Sequence, residues 1–151
     1  MNVRELYTHN TVSVQTGDDL VTAARLMREK HVGSVVVVEA VPGMDIRRPV
    51  GILTDRDIVV TVVAPNANPN EFKVSDVMTP WPVAVKEADT LSVALGHMRR
   101  LGVRRLPVID DHGSLVGILS LDDVLAGMSG DLQDVADLIA NERRMESRAR
   151  P

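Results

Sequence analysis

A chain of 151 residues that is 44% hydrophobic but only 2% aromatic must build its core from Val, Leu, Ile, Ala and Met, side chains that pack in strands and along helix faces. The absence of cysteine excludes disulfides, thiolate metal sites and thiol catalysis, and a net charge of −4 spread over both halves excludes a global nucleic-acid footprint. No charged segment followed by an apolar one marks a signal peptide, and the longest apolar runs fall far short of the ~18 residues that span a bilayer, so a soluble cytoplasmic protein with no membrane partner is expected.

In chain order, a short lead-in comes first, followed by a brief strand at Val12-Ser13-Val14 and a helix introduced by Asp18. Leu20, Ala23, Ala24 and Met27 stand at the spacing of one helix face. The β-branched run Val35 to Val38 predicts a strand, Val41-Pro42-Gly43-Met44-Asp45 a turn, Pro49 to Thr54 a second strand, and Asp55 to Val63 a helix. Ala64 to Asn70 is the only loop-rich connector.

The same order then recurs: a strand at Val83-Ala84-Val85, and a helix introduced by Asp89 with Leu91, Ala94, Leu95 and Met98 on one face. A strand over Leu106 to Ile109, the turn Asp110-Asp111-His112-Gly113, a strand over Leu115 to Ser120 and a helix over Leu121 to Gly127 complete it. After Gly130, the residues Leu132, Val135, Ala136, Leu138 and Ile139 mark one further amphipathic helix. Its basic end, with Arg143, Arg144, Arg148 and Arg150, is expected to fray.

The recurrence is literal. Sliding the sequence by 71 positions aligns residues 3–38 with 74–109 without a gap and matches eleven residues, among them Val3, Thr8, Val12, Asp18 and Met27. After the turn the register resumes at 66, where Val50-Gly51-Ile52-Leu53 falls on Val116-Gly117-Ile118-Leu119 and Asp57 on Asp123. Self-similarity on this scale defines an architecture. The fold class is α/β (α+β), a tandem β-α-β-β-α arrangement whose two sheets pack face to face about a pseudo-twofold axis, with clefts between the halves. The expected organisation is residues 1–63 for the first repeat, 64–73 for a linker, 74–128 for the second repeat, and 129–151 for a C-terminal helix and basic tail.

Gly51-Ile52-Leu53-Thr54-Asp55-Arg56-Asp57 and Gly117-Ile118-Leu119-Ser120-Leu121-Asp122-Asp123 each stand where a buried strand turns into a helix. A Thr or Ser followed three residues later by an acid is a capping box. The same acid is also placed to accept from the hydroxyls of a ribose while the Thr or Ser hydroxyl and nearby N–H groups face a phosphate. The leading glycine permits a close backbone approach, beneath a sugar or in packing.

A Gly-hydrophobic-x-Thr/Ser-x-x-Asp segment closing a β-α-β-β-α repeat, present twice, resembles the cystathionine-beta-synthase (CBS) domain pair over roughly residues 3–126, and the segments Leu53 to Ile58 and Arg104-Arg105-Leu106-Pro107-Val108 resemble those of small stand-alone bacterial members. The resemblance implies a homodimeric regulatory module, not an enzyme. Its ligand would be an adenosine-containing nucleotide, AMP, ADP or ATP before S-adenosylmethionine or NAD, and its output would pass through an effector protein. By resemblance Asp57 and Asp123 hold ribose, with Thr54 and Ser120 near the sugar or α-phosphate. Val12 and Val83 supply backbone and an apolar wall for adenine, and Arg104 and Arg105, with Pro107 in the same segment, approach phosphates. Arg56 is a further local candidate. The first repeat departs from the pattern, having Gly33 and Ser34 where the second has Arg104 and Arg105. A ligand-free dimerisation module is the alternative.

Other signals point nowhere. His9, His31, His97 and His112 stand at no spacing that would place two on one helix face, so no metal site is expected. No phosphate-binding glycine loop and no nucleophile motif is present. Trp81, between Pro80 and Pro82, reads as a packed linker residue, and the arginine tail is too brief to make nucleic acid an expected partner.

Overall fold

A computed structural model of the chain describes residues 1–9, 11–81 and 83–149; Pro82 and Arg150 lie outside the described residues. The first repeat contains β1 (Ser13–Gln15), α1 (Leu20–Lys30), β2 (Ser34–Ala40), β3 (Arg47–Thr54) and α2 (Asp55–Ile58), which continues as a π-helical turn over Val59–Val63. A 3-10 turn at Pro69–Glu71, α3 (Val74–Val77) and β4 (Thr79–Pro80) lead into the second repeat. That repeat contains β5 (Val85–Lys86), α4 (Leu91–Leu101), β6 (Arg105–Ile109), β7 (Leu115–Ser120) and α5 (Leu121–Ala149).

One sheet has the order β1-β2-β3-β4 and the other β5-β6-β7. In each, the first strand runs parallel to the second and the second antiparallel to the third. β2 shows why the fold needs two sheets. Val35 and Val37 belong to the core of the first repeat, whereas Val36 and Val38 pack with Leu115 of β7, Ile118 and Trp81. A strand buried on both faces reads as an unbroken apolar run, which is what Val35 to Val38 shows. The second repeat builds its own core from Val85, Ala94, Met98, Leu106, Val108, Leu119 and Val124. Trp81 is thus the packed residue its setting suggested.

α1 and α4 end alike in the left-handed conformation, at His31 (φ 54°) and Gly102 (φ 66°), positions equivalent in the internal alignment. Glycine there is free of the steric penalty that histidine meets.

The lead-ins are exchanged. The 3-10 turn Val3–Glu5 packs on the second repeat: Val3 N donates to Asp89 O at 3.0 Å, and Thr8 and Ile118 exchange both backbone bonds at 3.0 and 3.1 Å. Reciprocally, Val74 N donates to Asp18 O at 2.9 Å and β4 pairs with β3. Val3 and Tyr7 therefore lie in the second core, and Val74 and Val77 in the first. The connector is ordered too, its Asn68 side chain accepting from Asn70 N and Phe72 packing against the first core.

The helix expected over Leu121 to Gly127 and the one expected after Gly130 are a single helix of 29 residues, roughly 43 Å long. Gly127 and Gly130 each cost about 1 kcal/mol relative to alanine without breaking a helix. Gly127 faces the lead-in, where a Cβ would come within 2.3 Å of Leu6 Cδ2 and the end of that side chain would have to turn aside.

Candidate functional site

The two motif segments end at matching helix starts. Thr54 Oγ1 accepts from Asp57 N at 3.0 Å and Asp57 Oδ2 accepts from Thr54 N at 2.9 Å. Ser120 and Asp123 repeat the arrangement with both bonds at 3.1 Å. Both capping boxes are closed, and each uses only Oδ2 of its aspartate, leaving Oδ1 without a partner among the described residues. The asymmetry is at Thr8, whose hydroxyl reaches Asp123 Oδ2 at 3.5 Å from the exchanged lead-in.

Backbone bonds draw the segment before each second strand to the same place. Asp55 N donates to Gly33 O at 3.0 Å, and Leu121 N to Arg104 O at 2.8 Å. Pairing across the sheets then sets Ser34 opposite Thr54, and Arg105 opposite Ser120. A Cβ on Gly33 would lie 3.2 Å from Asp55 Oδ2, an exposed carboxylate that need move only slightly to admit it.

Between the repeats lies a crevice of about 140 Å³, lined by Thr11, Val12, Val32, Ser34 and Val36 from the first and Arg105 and Ile118 from the second. Arg105 is the one charged residue of this lining. A second inter-repeat crevice, of about 250 Å³, is lined by Arg48 and Pro49 with Trp81, Val83, Ala84, Ile109 and Gly113.

Of the residues singled out in the sequence, Val12 and Arg105 thus meet in one crevice while Val83 lines the other. Arg104 and Arg105 part company where β6 begins, Arg105 being its first residue and Arg104 standing just outside it. Arg104 pairs with exposed Asp122 at 3.5 Å and lines a depression against α4 with Leu95, Met98 and Leu121. Arg56 is exposed, its N–H held by Asp55 Oδ1, and Pro107 is buried opposite Ile118. The motif glycines serve packing. A Cβ on Gly51 would lie 2.8 Å from Thr79 O, and one on Gly117 would lie 2.3 Å from Thr8 O, so the backbone that comes close is the other repeat's lead-in.

Thr11, Ser34 and Arg48 were not expected in the crevices as lining groups. Ser34 had a signal, being the counterpart of Arg105 in the internal alignment, and Thr8 another, being identical to Thr79. Arg48 had none. Among the described residues no group of three or more His, Asp or Glu side chains is placed to hold a metal ion.

The sequence model of the CBS domain matches residues 3–64 and 74–130. An uncharacterized protein of Methanopyrus kandleri is 34% identical over 125 residues, covering 83% of this chain; the chain spans 61% of that relative's length. Among solved structures, Hypoxic Response Protein I with two coordinated zinc ions aligns with a TM-score of 0.68 at 30% identity, over 83% of this chain and 98% of that one. A CBS domain protein of Pyrobaculum aerophilum complexed with AMP aligns with a TM-score of 0.67 at 27% identity, over 82% of this chain and 89% of that one.

Proposed function

The chain belongs to the CBS domain family, and from that premise we propose that it is a non-catalytic, cytoplasmic regulatory module that binds an adenine nucleotide of the AMP, ADP or ATP class between its repeats. The observation that carries the reading is the meeting of Arg105 with Thr11, Val12 and Ser34 in a crevice between the repeats. Sheet pairing sets Ser34 opposite Thr54 at the head of the first capping box. Val12 and Val36 offer an apolar wall for a base, Arg105 a charge-assisted donor for a phosphate, and Asp57 Oδ1 an acceptor for ribose hydroxyls. In the second crevice Val83 offers an apolar wall and Arg48 a charge-assisted donor. The AMP held by the Pyrobaculum relative supports the ligand class.

At about 140 Å³ the first crevice falls below the ~300 to 1,000 Å³ of small-molecule pockets, so a nucleotide must part the repeats to enter. A ligand that binds only the parted arrangement shifts the equilibrium toward it, which is the physical content of a sensor. The module then reports through a homodimer and an effector protein.

Titration calorimetry with AMP, ADP, ATP, S-adenosylmethionine and NAD tests the reading. Binding of an adenine nucleotide that Arg105→Ala weakens roughly 10- to 100-fold is expected, the loss of one hydrogen bond to a charged group. Failure of all five ligands at millimolar concentration would overturn it. The closed capping boxes favour a second reading, a ligand-free dimerisation module, which Asp123→Asn separates from the first. A cap alone predicts a loss of about 0.5 to 2 kcal/mol of stability and no change in ligand affinity. A ribose contact predicts weaker nucleotide binding as well.

A further inference from the structure

α5 continues for nineteen residues past the last one matched to the CBS domain, and from Met128 to Arg148 every residue is exposed. Yet the helix is amphipathic. Leu125, Met128, Leu132, Val135 and Ile139 recur at alternating intervals of three and four, with Leu138 and Met145 widening one edge of the stripe. These seven side chains are between 45% and 69% exposed. A solitary helical extension of this length is marginal in water, because helices in proteins are held chiefly by packing of an apolar face.

We propose that this stripe is the interface with a second copy of the chain, and that the two α5 helices pair antiparallel. The proposal rests on the homodimeric part of the function proposed above and not on the nucleotide. Area is the first argument. Seven half-exposed apolar side chains at roughly 100 Å² each give on the order of 700 Å² per chain, close to the ~800 Å² per partner of a standard interface. The three-four spacing is that of helices packed side by side.

Charge decides the direction. From Asp122 to Asp137 the helix carries five aspartates and no base, whereas from Glu142 to Arg148 it carries three arginines against two glutamates. Parallel pairing would align the aspartate stretches with each other. Antiparallel pairing brings Asp122 and Asp123 of each chain to Arg143 and Arg144 of the other, and it layers Met128 of one chain on Ile139 of the other and Leu132 on Val135. In that register Asp122 of one chain flanks Arg143 of the other, both exposed.

The chain has no cysteine, so engineered thiols report on the interface without background. Met128→Cys and Ile139→Cys are oxidised separately and as a mixture, with Gln133→Cys, on the opposite face beside Asp137, as the collision control. Leu132→Cys with Val135→Cys is a second pair should either variant of the first misfold. The expected result is a predominant disulfide dimer in each mixture and none above the control in single variants. Single variants that cross-link with themselves mean parallel pairing and overturn the arrangement. No cross-link in any sample, with the unsubstituted chain sedimenting as a dimer, overturns this interface and leaves the homodimer reading standing. A sedimenting monomer removes both, and calorimetry on the same samples reads the nucleotide separately.

Discussion

Tyr7 enters the second core from the far end of the chain, and its hydroxyl donates to Glu87 Oε1 at 2.5 Å. Burial first, then the hydrogen bond and negative charge of Glu87, push its phenol up to about 12. The native state therefore keeps the proton over a range in which the unfolded chain, with its phenol near ~10, has released it. The stabilisation is fully present below pH ~10 and is lost as pH rises from there through about 12. Tyr7→Phe should cost about 1 kcal/mol at neutral pH. It should also flatten that alkaline window, so the difference between native and variant in urea unfolding shrinks as pH rises through it. Nothing in the sequence joins Tyr7 to Glu87, which stand 80 positions apart. Thr54 and Asp57 were legible as a pair because three residues on a helix start bring them into contact whatever the rest of the chain does.

Among the elements, the glycines divide by what approaches them. On α4, Gly96 faces open space, so Gly96→Ala should raise stability by about 1 kcal/mol, the ordinary gain in helix propensity. On β7, a Cβ at Gly117 would meet Thr8 O at 2.3 Å and the Tyr7 ring at 2.4 Å. Gly117→Ala should therefore displace the lead-in and destabilise by roughly 1 to 3 kcal/mol or more, as overpacking does. Equilibrium unfolding of both variants checks the opposite signs, and equal effects would mean that the lead-in does not press on β7. The strands and helices were readable because periodicity reports burial: Leu115 to Ser120 is β7 to the residue, and Asp55 to Val63 is helical throughout. The continuity of α5 was not readable. Gly127 looks like a helix end in sequence, whereas in the fold the helix runs through it and past Leu6, a contact across the molecule. Likewise, Arg104 stands just outside β6 and Arg105 begins it, and only the paired sheets show that Arg105 alone of the two faces the crevice.

At the scale of the whole molecule, the internal alignment conceals the feature that makes two repeats one unit. Val3 aligns with Val74, so each lead-in reads as part of the repeat it precedes, yet each completes the core of the other. The exchange follows from packing: β2 is buried on both faces, and a lone repeat would leave Val36 and Val38 bare as well as lacking a lead-in. A fragment of residues 74–130 keeps Val85, Leu106 and Leu119 but loses Val3 and Tyr7 from above them, and it carries Val74 and Val77 with no core to enter. At this size a single core has little stability to spare. That fragment should be unfolded by far-UV circular dichroism and one-dimensional NMR, whereas residues 1–130 should unfold in one cooperative transition with coincident probes. A folded 74–130 fragment, or two separated transitions in residues 1–130, would show the repeats to be independent. A ligand between them would then bind two tethered domains, where the exchanged lead-ins instead make it act on one cooperative body whose halves share their cores.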